Sequence, residues 1–141
     1  MSRPLDMPNS ETIKDFIEAV KLWAASKPDV HAVALVGSYA RGAAGITSDI
    51  DLVIILDDPR GYLENTNWLQ SFGMPDRQQL EDYGSVTSLR VWFRDGKEVE
   101  FGLTTPAWIK SPLDEGTWQT IRDGILVVFE RQPTLSPLLA N

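Results

Sequence analysis

The spacing of hydrophobic residues predicts one long amphipathic helix near the start of the chain. Apolar side chains recur at helical intervals between positions 13 and 24, directly after Asn9 and Ser10, either of which can cap a helix N-terminus. The pattern ends near Lys27 and Pro28. The apolar stripe consists of Ile13, Phe16, Ile17, Val20, Trp23 and Ala24. We therefore expect a helix that buries this stripe.

Two short apolar runs predict buried strands. Residues 32–36 are too few for a helix and lie between a proline and a glycine. Residues 50–56 are β-branched and apolar apart from one acid. Between these runs, residues 39–44 are expected to form a short helix that ends at Gly45.

The second half of the chain predicts a hairpin and further short elements. Residues 86–93 and 98–103 flank an Asp-Gly step, which is a strong signal for two antiparallel strands. The other predicted elements are a turn at 57–61, a weakly patterned helix at 63–72, a short helix at 118–123 between Thr117 and Gly124, and a strand at 125–129. Together the elements indicate an α+β fold with a mixed, partly antiparallel sheet of about four to five strands and helices packed on it.

The length and composition fit one domain. The sequence has 141 residues, of which 43% are hydrophobic, and this is enough for an ordinary core. We expect a single domain over residues 1–131 and a loosely held tail over residues 132–141. No apolar run approaches the ~18 residues of a membrane span, and the start lacks the apolar region of a secretory signal. The sequence therefore predicts a cytoplasmic protein that does not contact a membrane.

Charge and residue content exclude several kinds of site. The net charge of −7 has the wrong sign for binding nucleic acid through its phosphates. The sequence has no cysteine, which excludes disulfides, thiol nucleophiles and thiolate metal sites. His31 is the only imidazole, and a zinc site needs several nitrogen or sulfur ligands. Hard oxygen ligands remain, so we expect any bound nucleotide to arrive with a metal ion.

The segment between the first two predicted strands carries the candidate chemistry. Gly37 and Ser38 end one strand and open a short helix, so backbone N–H groups, a helix dipole and a hydroxyl face one point that suits a phosphate. Asp49 and Asp51 differ by two positions along a strand, so both carboxylates leave the same face, with Cα atoms ~6.6 Å apart. A hard divalent ion such as Mg²⁺ fits between them.

A third acid is predicted on the second strand of the hairpin. Glu100 lies between Val99 and Phe101 and projects from the face opposite those two bulky groups. It joins the aspartates if its strand lies beside the strand 50–56. Glu98 shares its face and is ranked second, because its neighbour Lys97 belongs to the predicted exposed turn. The alternative is that both glutamates are simply the solvated face of a hairpin strand.

These residues carry a family resemblance. Gly37-Ser38, a ten-residue gap, Asp49-Ile50-Asp51 and a later acid flanked by hydrophobic residues resemble the DNA polymerase beta-type nucleotidyltransferase superfamily, in particular its minimal bacterial and archaeal members. The resemblance implies a polymerase beta palm-like fold in which Asp49, Asp51 and Glu100 hold two Mg²⁺ ions.

The same resemblance implies a phosphate site. Gly37, Ser38 and nearby amides would bind the terminal phosphates of the nucleotide. Arg41 matches the Ala-Arg-Gly that often follows Gly-Ser in these small members. Its implied role is left open between contacting phosphate and bracing the loop against an aspartate.

The implied reaction transfers a nucleoside monophosphate to an acceptor hydroxyl and releases pyrophosphate. ATP, or another nucleoside triphosphate, is the expected donor, and Glu100 is a candidate general base. The acidic surface favours a cationic acceptor, for which aminoglycosides are the example within the family. Known antibiotic-modifying relatives usually add a helical domain that completes the acceptor site, so a homodimer is one way to supply the missing wall. Candidate cations for the leaving phosphates are Arg41, Arg90, Arg94 and Lys97.

Two alternatives belong to other functional classes. The pattern fits equally well an antitoxin-type minimal nucleotidyltransferase that masks a helical toxin protein and modifies it with AMP. It also fits a nucleotide-binding relative that has lost catalysis, although the intact Asp49, Asp51 and Glu100 argue against this.

Overall fold

The structure, a computed structural model, describes residues 10–40, 49–110 and 115–139. Its helices are α1 (Ser10–Ala25), α2 (Gly37–Ala40), α3 (Arg60–Glu64), α4 (Glu115–Asp123) and α5 (Ser136–Leu139), with 3₁₀ helices at Asn67–Phe72 and Pro106–Ile109. Its strands are β1 (Val30–Val36), β2 (Ile50–Leu56), β3 (Pro75–Asp82), β4 (Thr87–Phe93), β5 (Glu98–Thr104) and β6 (Leu126–Glu130). The predicted α+β class is confirmed. Within the described ranges, no helix has both the length and the hydropathy needed to cross a membrane.

The six strands form one mixed sheet in the order β3-β4-β5-β2-β1-β6. β2 and β5 run parallel, whereas every other neighbouring pair is antiparallel. The predicted hairpin of β4 and β5 is confirmed. The parallel neighbours β2 and β5 place Asp51 directly opposite Glu100. This register is the feature of the fold that positions the candidate site.

Strand β3 is the one strand among the described residues that the sequence pattern did not predict. It is an edge strand whose residues 76–80 are all exposed, so it shows no hydrophobic alternation. An edge strand can be held by its backbone hydrogen bonds to one neighbour, and these leave no mark on side-chain periodicity. Its presence gives six strands where four to five were expected, and it brings Glu81 to a position opposite Ser88 on β4.

The sheet buries its two faces differently. Alternate residues of β2, Leu52 and Ile54, pack against α1, where an aromatic group fills the core. The members of this aromatic group are Phe16, Trp23, Tyr62, Trp68, Phe72, Phe93 and Phe101. The alternate residues of β2, Asp51, Val53 and Ile55, project from the opposite face of the sheet. There a smaller core contains Trp108, Ile125 and Leu135, so the acids lie beside this smaller core.

The helix predicted over residues 63–72 is wrong in extent. Helix α3 ends at Glu64, and a separate 3₁₀ helix begins at Asn67. Asn65 is extended, and its side chain accepts a hydrogen bond from the Asn67 N–H at 3.0 Å. An asparagine that binds nearby backbone groups competes with helix hydrogen bonds, so the apolar spacing did not form one continuous helix. The predicted turn at 57–61 is also helical from Arg60 onwards.

Lys97 is buried, which overturns the expectation of an exposed turn residue. Its side chain is 5% exposed, and its Nζ donates to Asp95 Oδ2 at 2.5 Å. The ammonium group also lies 4.4 Å from the ring centre of Phe93, on the α1 side of the sheet. The reason given for ranking Glu98 behind Glu100 is therefore wrong, and their positions have to be compared directly.

The chain after β6 is attached through Glu130. Its carboxylate accepts hydrogen bonds from the N–H groups of Thr134 at 3.1 Å, Leu135 at 2.9 Å and Ser136 at 3.2 Å. Leu135 is fully buried in the smaller core. The loosely held character of residues 132–141 stays a prediction, and Glu130 is the residue through which it can be tested.

We expect acid to release the segment 134–136. Hydrogen bonds, with the one from the Ser136 side chain the strongest influence, lower the pKa of Glu130 from 4.5 to about 2. A lowered pKa contributes stability that is complete above the unfolded value and is lost as the pH falls towards the folded value. Protection of amides 134–136 from hydrogen exchange, relative to the intrinsic exchange rate at each pH, should therefore fall between about pH 4.5 and pH 2. Glu130→Gln should show low protection throughout this range, whereas an identical pH dependence of protection in both proteins would contradict the assignment.

Candidate active site

Three carboxylates converge on the face of the sheet away from α1. Asp49 directly precedes β2, Asp51 lies within it, and Glu100 lies opposite Asp51 on β5. One carboxylate oxygen from each residue lies within 4.8 Å of the others, and all three side chains are half-buried. The structure thus brings together the three acids that the sequence pattern singled out. We call Asp49, Asp51 and Glu100 the carboxylate cluster.

The carboxylate cluster carries more negative charge than its one neighbouring cation among the described residues, Arg90, can neutralise. The pKa of Asp51 is raised to about 8. Burial is the largest cause, and the charge of Asp49 and contacts with Glu100 add to it. Burial is also the largest cause that raises the pKa of Glu100, and a hydrogen bond shared with Glu81 adds to it. The charge of Arg90 lowers this pKa and so opposes the change. Carboxylates held this close favour either a proton or a cation between them. Half-buried carboxylate oxygens are the donor set that Mg²⁺ prefers, so these residues fit the implied metal.

Gly37 allows the start of α2 to approach the cluster closely. Its φ is +74°, a left-handed conformation that side chains rarely adopt. A Cβ built on Gly37 would overlap Asp51 Oδ2 and lie 3.2 Å from Asp51 Cγ. The glycine therefore lets the backbone pass directly over the Asp51 carboxylate. Burial, followed by the charge of Asp49, also raises the pKa of Tyr39 in α2, which places this helix within electrostatic reach of the cluster.

The remaining predicted phosphate-binding residues are only partly described. The backbone of Ser38 forms part of α2, directly after Gly37. Arg41 lies outside the described residues. The proposed roles of Gly37, Ser38 and Arg41 at a phosphate therefore stay predictions.

Arg90 connects the carboxylate cluster to two further acids. Its guanidinium contacts Asp49 at 3.4 Å, Glu81 at 3.4 Å, Glu98 at 2.7 Å and Glu100 at 3.1 Å. The sequence analysis named Arg90 as one of four candidate cations for phosphate and not as a partner of these acids. Its contacts depend on the lateral order of β3, β4, β5 and β2, which no local pattern predicts.

Glu98 is engaged differently from Glu100. It forms the shortest of the Arg90 contacts, whereas Glu100 lies in the cluster beside Asp51. The geometry therefore favours Glu100 as the third acid. Glu81 and Tyr83 also reach the site, and the Tyr83 hydroxyl donates to Glu81 at 3.0 Å and to Glu100 at 3.4 Å. Sequence reasoning missed both residues because it did not predict β3.

Asp57, Asp58 and Arg94 make contacts outside the carboxylate cluster. Asp57 accepts a hydrogen bond from His31 at 2.6 Å, and Asp58 pairs with Arg60 at 2.8 Å. Arg94 is exposed and lies 3.8 Å from Asp76. The structure thus agrees with the interpretation of Asp57 and Asp58 as turn residues.

A cleft of about 600 Å³ opens beside the carboxylate cluster. Asp51 and Glu100 lie at its lining, and α4 and the 3₁₀ helix containing Trp108 supply other parts of it. Gly102 also lines the cleft, and a Cβ there would lie 3.0 Å from Val86 Cγ1. The lining consists of Val36, Asp51, Leu52, Val53, Tyr83, Ser85, Val86, Ser88, Glu100, Gly102, Trp108, Glu115, Gly116, Thr117 and Thr120. The described lining thus combines hydroxyls, an apolar wall and three acids, with no lysine or arginine.

A comparison with models of protein families shows which family the chain belongs to. The family model described as "Nucleotidyltransferase domain" matches residues 13–118, which include the cluster, α2 and most of the cleft. The chain belongs to this family. No curated protein matches the chain.

Solved structures of other nucleotidyltransferases share the fold. An aminoglycoside 6-adenyltransferase from Bacillus subtilis is 18% identical with a TM-score of 0.57, covering 84% of this chain and 41% of that chain. Cid1 in complex with its short product ApU is 17% identical with a TM-score of 0.50, covering 66% and 30%. The non-canonical poly(A) polymerase complex GLD-2–GLD-3 is 17% identical with a TM-score of 0.50, covering 70% and 36%. At these identities the likeness shows the fold alone, and this chain spans less than half of each of these chains.

Proposed function

We propose that this nucleotidyltransferase transfers AMP from ATP to an acceptor hydroxyl and depends on Mg²⁺. The observation that carries the proposal is the convergence of Asp49, Asp51 and Glu100 beside the close approach of Gly37. A family member that kept only the fold would not need three half-buried carboxylates with oxygens within 4.8 Å of one another.

Asp49, Asp51 and Glu100 would hold two Mg²⁺ ions. Such ions neutralise phosphate charge and make an acceptor hydroxyl more acidic when they are bound. The backbone of Gly37 and Ser38, with Arg41, would hold the terminal phosphates at the start of α2. The role of this chain's own residues is thus to fix the α-phosphate of the donor in front of the cleft.

The proposed transfer forms one bond to phosphorus, breaks one bond to phosphorus and moves one proton. The acceptor oxygen attacks the α-phosphorus, and the bond from that phosphorus to the bridging oxygen of pyrophosphate breaks. Pyrophosphate leaves with the electron pair, and the hydroxyl proton passes to a carboxylate. Glu100 is the proposed recipient, because it lines the cleft beside Asp51.

The cleft supports a small hydroxylated acceptor that carries amines. Its acids attract ammonium groups, its hydroxyls can bind polar substituents, and Trp108 offers an apolar wall. No lysine or arginine belongs to the described lining, so an anionic acceptor would lack a counter-charge there. An aminoglycoside-like molecule meets these conditions.

A protein acceptor is the second candidate, and one surface favours it. An apolar groove between α1 and β6 is lined by Ile13, Ile17, Leu126 and Val128, among others. Leu126 is 52% exposed. A toxin-like helical protein that seats an apolar face here would have that face masked.

The first test is thermal unfolding with ATP, GTP, CTP and UTP, each with and without Mg²⁺. A ligand at ~100 times its Kd adds about 2.7 kcal/mol to the free energy of unfolding. We expect ATP to stabilise the protein only when Mg²⁺ is present. Equal stabilisation without the metal, or none with any nucleotide, would contradict the proposal.

The acceptor is tested with pairs of compounds that differ in one amine. Labelled ATP is incubated with amino sugars, aminoglycosides and the corresponding neutral sugars, and transfer of label is measured. We expect transfer to amine-bearing members and little to their neutral partners. Label on a co-purified helical protein, with no transfer to either series, would instead favour the protein acceptor.

A further inference from the structure

Arg90 lies among more carboxylates than one cation can neutralise. It is opposite Glu100 in the pairing of β4 with β5, and its side chain reaches across β5 to Asp49 on the far side. The four acids it contacts come from β3, β5 and the residue that precedes β2. A guanidinium can do this because its nitrogens donate in several directions, whereas the ammonium group of a lysine is a single point charge.

The Arg90 contacts are shielded from solvent. The Arg90 side chain is 24% exposed, and the acids range from 18% for Glu100 to 32% for Asp49 and Glu98. Ion pairs that are partly withdrawn from water are less screened than pairs on the surface. The charge on Arg90 therefore acts strongly on the acids around it.

We propose that Arg90 is a resident counter-ion that compensates Asp49 and Glu100 in the metal-free protein and competes with the divalent cation for them. This proposal rests on the metal site of the proposed function. Two of the acids that Arg90 contacts are proposed metal ligands. A cation that binds them must share their charge with the guanidinium and is repelled by it. Arg90 therefore lowers the affinity of the nucleotide-free protein for metal.

This arrangement has a consequence for how the site is loaded. With Arg90 in place, the acids alone bind a divalent cation weakly. The phosphates of a nucleotide supply the additional oxygen ligands and negative charge. The metal is thus expected to enter together with the nucleotide rather than before it.

The experiment compares two variants that each remove one positive charge. Arg90→Met removes the counter-ion, and Arg77→Met removes an arginine from the neighbouring strand β3 that stacks on Trp92 at 4.3 Å. Mn²⁺ is titrated by calorimetry and by electron paramagnetic resonance, without nucleotide. We expect Arg90→Met to bind Mn²⁺ at least tenfold more tightly than the wild type, and Arg77→Met to bind within twofold of it.

The metal-free variants give a second readout. Arg90→Met should have a lower Tm than Arg77→Met at low ionic strength, and added NaCl or Mn²⁺ should reduce the difference, because either one relieves repulsion among the carboxylates. If Arg90→Met does not fold, Arg90→Lys takes its place, with an expected gain of about threefold in Mn²⁺ affinity because an ammonium group spans fewer acids.

The outcomes separate this proposal from the proposed function. If Arg90→Met binds Mn²⁺ no more tightly than the wild type, the proposal that Arg90 is a counter-ion is overturned. The metal site of the proposed function still stands in that case, provided that the wild type binds metal with ATP. If the wild type binds no divalent cation with or without ATP, the metal site of the proposed function fails instead. Asp51→Asn in the Arg90→Met background should abolish the added affinity; retention of that affinity would place the ion elsewhere and overturn the proposal.

Discussion

Asp51→Asn is expected to abolish nucleotidyl transfer and, at the same time, to stabilise the metal-free protein. Asp51 is the central acid of the cluster, with contacts to both Asp49 and Glu100. An amide offers the metal one neutral oxygen in place of a charged carboxylate. We expect a loss of roughly 10³-fold in the rate of transfer, equivalent to about 4 kcal/mol, and loss of the Mg²⁺-dependent increase in Tm with ATP.

The gain in stability follows from the raised pKa of Asp51. A folded value of about 8 against 3.8 means that the stability present below pH 3.8 is lost as the pH rises towards 8. The metal-free wild type should therefore lose stability over this window, and Asp51→Asn should lose less. At pH 8 we expect the variant to be more stable by about 2 kcal/mol, measured by denaturant unfolding in EDTA.

Asp57→Asn is the matched control. Asp57 directly follows β2 and is 66% exposed, and an amide can keep the hydrogen bond to His31. It should change neither transfer nor the Mg²⁺ effect, and its stability should stay within about 0.5 kcal/mol of the wild type. If Asp51→Asn kept the Mg²⁺-dependent increase in Tm, the metal would not be bound at the cluster.

The sequence predicts best the strands that are buried on both faces. Residues 50–56 form β2 with the predicted bounds, because a β-branched apolar run leaves little alternative to a buried strand. The alternation within β2 also separates Asp51 from Leu52, so the face of the acid follows from the pattern. Both the bounds of β2 and the face from which Asp51 projects depend only on residues that are neighbours in the sequence.

Features that depend on the order of strands are not predictable in this way. Asp51 and Glu100 can lie together only if β2 and β5 are neighbours. The sequence could state this only as a condition, and the observed pairing of β2 with β5 meets it. The contacts of Arg90 require four strands in one order, including β3, whose exposed residues give no hydrophobic signal. The contacts of Arg90 with the acids of the site could therefore be identified only from the three-dimensional structure.

The burial of Lys97 shows a different limit. The Asp-Gly step correctly predicts the hairpin, and it also suggests solvent exposure for the residues around it. In the fold, Asp95 pairs with the ammonium group of Lys97, and the ring of Phe93 lies against it. A turn motif predicts backbone geometry and not the environment of each side chain.

Gly37→Ala is expected to disrupt the carboxylate cluster from the side of α2. The left-handed φ of +74° costs a non-glycine residue about 1–2 kcal/mol. The new methyl group would also overlap the Asp51 carboxylate, so α2 or β2 has to move. We expect a total loss of about 3 kcal/mol or more in the free energy of unfolding, and a fall of at least about 100-fold in transfer.

Gly61→Ala is the control for the loss of a glycine. Gly61 lies in α3, and a Cβ there meets nothing within 4 Å. The change should be neutral or stabilise the helix by up to about 1 kcal/mol.

The overlap with Asp51 can be separated from backbone strain by a double-mutant cycle. In an Asp51→Ala background the carboxylate is gone, whereas the φ of residue 37 still has to be left-handed. Gly37→Ala should then cost only about 1–2 kcal/mol, and the difference from its cost in the wild type measures the contact between the two positions. Equal costs in both backgrounds would mean that strain alone acts at residue 37. A large difference would mean that Gly37 avoids a direct steric overlap with the Asp51 carboxylate, so that α2 and β2 cannot be altered independently at this point.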